Sequence, residues 1–79
     1  MKLIINKSEI RIYPFVLAST HETDSVLAGS GYVRIVTQPQ SDTYGDVYLN
    51  MTGGHYAPED WQKIAETMEL AFKISASLK

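Results

Sequence analysis

The chain has 79 residues, 44% of them hydrophobic and 20% charged, with seven Lys and Arg against nine Asp and Glu for a formal charge of −2. Such a composition belongs to a globular fold rather than a disordered one. One domain spanning residues 1–79 buries only about 60% of its unfolded surface, so most large apolar side chains must serve the core and few are left for a deep pocket. No basic run exceeds one residue, which disfavours nucleic acid as a partner. The absence of cysteine rules out a disulfide framework, a thiolate metal site and a cysteine nucleophile, and suits a reducing, cytoplasmic setting.

The opening MKLII resembles the start of a signal peptide, but its apolar run ends at Asn6 and Lys7, too early for a signal core or a membrane span. KLIIN reads instead as a short first strand. EIRIYPFVLAS continues with period-two alternation, Ile10 and Ile12 on one face and Arg11 and Tyr13 on the other. Pro14 lacks a ladder donor, so the strand is at an edge there or is bulged before FVLA. THETDSVLAGSG is polar and glycine-punctuated, a loop with room for one helical turn at residues 25–28. YVRIVTQ is a further strand with Val33 and Ile35 inward and Tyr32 and Arg34 outward. The turn-forming PQSDTYGD links it to DVYLNMT, where Val47, Leu49 and Met51 alternate with Tyr48 and Asn50.

From Pro58 the period changes from two to 3.6. Trp61, Ile64, Ala65, Met68, Ala71, Phe72 and Ser75 fall on one side, and Gln62, Glu66, Glu69 and Lys73 on the opposite flank. The spacing predicts an amphipathic helix lying on the sheet with Trp61 and Phe72 against the core, where truncating Trp61 to alanine would cost about 3 to 5 kcal/mol. Leu70, Ile74 and Leu78, spaced at i, i+4 and i+8, start nearly opposite Trp61 and form a second apolar stripe. One sheet does not cover both sides of a helix. These three residues are therefore the expected interface of a homodimer, the alternative being that the N-terminal strand or the SVLAG loop folds over them.

The joint NMTGGHYAPEDW tests for an anion site. Glycines before a helix start are able to cradle phosphate, but Pro58 offers no N–H, and Glu59 and Asp60 put negative charge where the phosphate would sit. Gly53 and Gly54 also fall short of any phosphate-loop or dinucleotide fingerprint, so the stretch reads as a structural turn. His21, with Glu22 and Asp24 nearby, and His55 are the elements of a nitrogen and oxygen metal site. Ser25 stands where a second histidine one helical turn on would be needed, so both histidines are expected to be exposed loop residues and no metal or other cofactor is expected. A small-ligand or metal-dependent protein built on His21 and His55 is the competing class.

Catalysis has no better footing, since no nucleophile elbow is present and no Ser, His and Asp set has a placement that the sequence specifies. Carboxylate pairs such as Glu59 with Asp60 and Glu66 with Glu69 are expected on the solvent side of the helix, a solvated face rather than a site for acid chemistry. The remaining candidate is the outward sheet face, where Arg11, Tyr13, Tyr32, Arg34 and Tyr48 collect if the three alternations are in register. Tyr and Arg are enriched at interface hot spots because they combine planar area with hydrogen-bonding ends. Tyrosine is also common on exposed strand positions for β propensity alone.

The expectation is an α+β fold: an antiparallel sheet of three to four strands with one C-terminal α-helix packed on one face. Its function is expected to be non-enzymatic protein binding through the Tyr and Arg face, as a homodimer, with no membrane partner. In general type such a domain is similar to the accessory proteins of bacteria and their phages, many of which act by covering a surface on a host protein, as inhibitors or adaptors.

Overall fold

The structure, a computed structural model, describes residues 1–15, 31–51 and 56–79. It contains strands β1 (Lys2–Ile5), β2 (Glu9–Tyr13), β3 (Tyr32–Val36) and β4 (Val47–Asn50), followed by helix α1 (Pro58–Leu78). The strands form one sheet in the order β1-β2-β3-β4, antiparallel throughout. The helix lies across one face, over β3 with β2 and β4 on either side. This is the α+β architecture expected from the sequence, with residues 2–5 paired as a full edge strand.

Local chemistry explains the joints. The Asn6 side chain accepts from the backbone N–H of Ser8 at 2.9 Å and of Glu9 at 2.9 Å, while its own N–H donates to Glu9 O at 3.0 Å. This asparagine turn reverses the chain between β1 and β2 within three residues. β2 stops at Tyr13, because Pro14 has no N–H with which to continue the ladder. Between β3 and β4 the return is closed by Gly45, whose N–H donates to Val36 O at 2.8 Å with φ at +85°, a region that favours glycine. The expected continuation of the second strand through residues 16–19, the loop at 20–30 and the Gly53 and Gly54 joint lie outside the described residues, as do His21 and His55.

The core is the helix-side face of the sheet. Ile12, Val33 and Ile35 are fully buried together with Ala71 from the helix, and Ile10, Val47, Met68, Leu70, Ile74 and Leu78 pack around them. Ile64 and Thr67 complete the buried centre of the helix, and the Thr67 hydroxyl is satisfied within it by donating to Lys63 O at 2.8 Å. Small side chains at that centre let the helix axis approach the sheet closely, and the longer aliphatic residues on either side fill the wedge between them.

Here the rotation of the helix differs from expectation. Trp61 and Phe72 are 45% and 55% exposed rather than buried, and Leu70, Ile74 and Leu78 are part of the packed core rather than a stripe beyond it. At 100° per residue the apolar side chains of α1 cover an arc of roughly 200°, from Leu70 through Ile74, Ile64 and Met68 to Phe72, wider than one sheet spans. Which part of that arc faces inward is decided by contacts distant in sequence. Ser75 Oγ donates to Gly45 O, and Lys79 Nζ meets Asp46 Oδ1 at 2.9 Å, both at the start of β4. These ties seat the arc around Ala71 on the sheet and leave the Trp61 and Phe72 flank exposed on the β4 side.

Candidate functional site

The face away from the helix carries the outward residues of three adjacent strands. Antiparallel pairing puts Arg11 opposite Arg34, and Arg34 opposite Tyr48. The next rung toward the Tyr13 end brings the Tyr13 and Tyr32 rings to 5.3 Å between centroids, tilted by 52°. All five residues expected to collect on one face are therefore in register on it.

Their side chains interlock. The Arg11 guanidinium carbon sits 4.5 Å above the Tyr32 ring, and that of Arg34 sits 4.6 Å above the Tyr48 ring. Cations over aromatic faces at this distance attract by about 0.5 to 1 kcal/mol at exposed sites. Two arginines directly opposite one another repel. The compensation comes from Glu9, two residues before Arg11 and thus on the same face. Arg11 donates to Glu9 Oε1 from Nε at 3.1 Å and approaches it from Nη2 at 2.9 Å, while Arg34 Nε lies 3.8 Å from Glu9 Oε2. The Glu9 side chain is only 13% exposed, and Oε2 accepts no hydrogen bond. One carboxylate thus serves two guanidinium groups. Its hydrogen bond, followed by that of Tyr13, raises the pKa of Arg11 above its ordinary value, so this cation is permanent at any accessible pH.

The five residues do not have equal roles. Tyr13 is 2% exposed, and its hydroxyl accepts from Arg11 Nη1 at 3.5 Å, so it braces the cluster rather than offering contact area. The Arg11 and Arg34 side chains are 32% and 38% exposed, Tyr48 is 40% exposed and Tyr32 is partly buried. These four form the accessible surface. Glu9 was missed in the sequence, although the period of two that placed Arg11 and Tyr13 together places Glu9 with them.

Leu70, Ile74 and Leu78, expected as a dimer interface, are packed against the sheet as described above. Among the described residues no three of His, Cys, Asp and Glu come together in a way that would hold a metal ion. Also among these residues, no helix is long and apolar enough to cross a membrane. No family model, curated protein or solved structure matches the chain.

Proposed function

We propose that the chain is a non-enzymatic protein-binding domain of adaptor or inhibitor type, comparable in role to the accessory proteins of bacteria and phages. In this reading it acts in the cytoplasm as a homodimer. It contacts its partner through Arg11, Arg34, Tyr32 and Tyr48. The observation that carries the reading is the pair of guanidinium groups held over tyrosine rings on neighbouring strands. Side chains fixed in this way lose little further entropy on docking, which is the condition under which Tyr and Arg become hot spots.

Two guanidinium groups against the single Glu9 carboxylate leave the cluster cationic, on a chain whose total charge is −2. The partner surface that fits is acidic, with flat apolar area for the tyrosines. Charge reversal tests this directly. Arg34→Glu with Tyr48→Ala, both at partly exposed positions, is expected to abolish capture of the partner that the wild type captures while the thermal transition is kept. Equal capture by wild type and a folded double variant would refute the assignment of this face.

A further inference from the structure

The second surface of interest is the outer edge of β4, together with the helix flank beside it. We infer that this edge pairs with the same edge of a second copy, two-fold and antiparallel, to make a continuous eight-stranded sheet. The inference rests on the homodimer in the reading above and supplies its interface.

Backbone polarity is the first argument. Val36 N–H donates to Asp46 O, so by antiparallel alternation the backbone groups of Tyr48 point toward β3, and those of Val47 and Leu49 point outward. β4 has no strand on its outer side among the described residues. Proteins blunt such edges with charges, proline or bulges. Val47–Asn50 has no charge and no proline, and the glycine bulge in which Gly45 and Asp46 both oppose Val36 lies before the strand rather than within it, whereas the opposite edge strand β1 contains Lys2.

The second argument is the apolar surface on the side of that edge. Leu49 projects to the helix side and is 55% exposed, as is Phe72. The Lys79 to Asp46 ion pair anchors both elements at one end. Leu49 is three residues along the strand from Asp46, about 10 Å at 3.3 Å per residue. Phe72 is seven residues along the helix from Lys79, about 10 Å at 1.5 Å per residue and on the same helical flank. Both exposed apolar side chains therefore belong to the β4 side of the fold, about two helical turns and three strand residues from the Lys79 to Asp46 tie.

The outward groups of this edge are complementary to those of a second copy. A two-fold axis through Tyr48 pairs Val47 with Leu49 of the partner copy and Leu49 with its Val47, each pair exchanging outward N–H and C=O groups. This register keeps every side chain on its own face. On the helix side Val47 meets Leu49 of the other copy with the Phe72 flanks alongside, and on the other side the two Tyr48 rings become neighbours. Val47–Asn50 itself carries no charge, so the paired rungs join through neutral side chains, with Arg34 over each Tyr48 ring and the Asp46–Lys79 pair flanking them. The Arg and Tyr faces then merge into one platform centred on the paired tyrosines.

The test uses light scattering at high micromolar concentration on wild type, Leu49→Pro, Phe72→Glu and Ile5→Lys. Proline at Leu49 removes an outward donor without touching the β3–β4 ladder, Phe72 is exposed, and Ile5 is a 70%-exposed apolar control on the other edge. The expected result is dimer mass for wild type and Ile5→Lys. Monomer mass is expected for Leu49→Pro and Phe72→Glu, each with its circular dichroism intact. Monomeric wild type would remove the homodimer itself. A dimer that survives Phe72→Glu, or is lost with Ile5→Lys, would place the interface elsewhere and overturn only the inference about β4.

Discussion

Glu9→Gln isolates the electrostatic centre of the Arg and Tyr face while preserving side-chain shape. In the native protein the carboxylate accepts from Arg11 at 3.1 Å, pairs with it at 2.9 Å and faces Arg34 at 3.8 Å. Hydrogen bonds to charged groups contribute about 1.5 to 3 kcal/mol. The arginine side chains are 32% and 38% exposed, so water screens part of that, and the lower half of the range applies to the Arg11 contact. Removing the negative charge also uncovers the repulsion of two arginines opposite one another, about 0.2 to 1 kcal/mol. The total is about 2 kcal/mol, which in a domain of this size lowers the melting temperature by about 8 to 16 °C. Thermal denaturation followed by circular dichroism reads this out. The difference from wild type should shrink in 1 M salt, where charges on a partly exposed face are screened over about 3 Å. A loss of under about 0.5 kcal/mol, or a loss independent of salt, would mean that the two arginines are held by their tyrosines and the strand backbone alone.

The remaining expectations follow from packing and backbone geometry. Trp61→Ala should cost only about 1 to 2 kcal/mol, because the ring is 45% exposed and its edge-on contact with Tyr56 at 5.0 Å accounts for most of the loss; a cost above about 3 kcal/mol in a denaturant titration would put it back in the core. Ala71→Leu should be the worse change, at about 1 to 3 kcal/mol or more, since that position is fully buried against Ile12, Val33 and Ile35 and has no room for extra methylenes; an unchanged melting temperature would contradict the helix rotation. Ile74→Lys should unfold the domain rather than yield a stable monomer, as seen by loss of the cooperative transition. Zn²⁺ should leave the melting temperature of wild type unchanged; a rise of several degrees that His55→Ala abolishes would restore the metal-dependent class.

Much of the sheet was readable because alternation has a period of two and admits only two phases. Once Ile10 and Ile12, then Val33 and Ile35, are set inward, Arg11, Tyr32, Arg34 and Tyr48 have only one face left. The register that puts Arg11 opposite Arg34 was not readable, because it belongs to β2 and β3, strands separated by the eighteen residues 14–31, too many for a tight turn to fix their pairing. The helix was harder. Its apolar arc is wider than its contact, and small residues such as Ala71 and Thr67, which carry little hydropathic weight, occupy the centre. Trp61 and Phe72 are the bulkiest apolar side chains of the helix, yet size says nothing about which flank a sheet covers. The buried Tyr13 shows the same limit, since strand parity gives a side chain's direction but not what lies above it.

The most direct test of the central claim is capture of a partner by the wild-type chain against Arg34→Glu with Tyr48→Ala, run in parallel at low and high salt after both proteins have been shown to fold. The account predicts a protein partner with an acidic surface, retained by wild type at low salt, weakened at high salt and absent with the double variant. Recovery of the same partner by the folded variant, unaffected by salt, would contradict it.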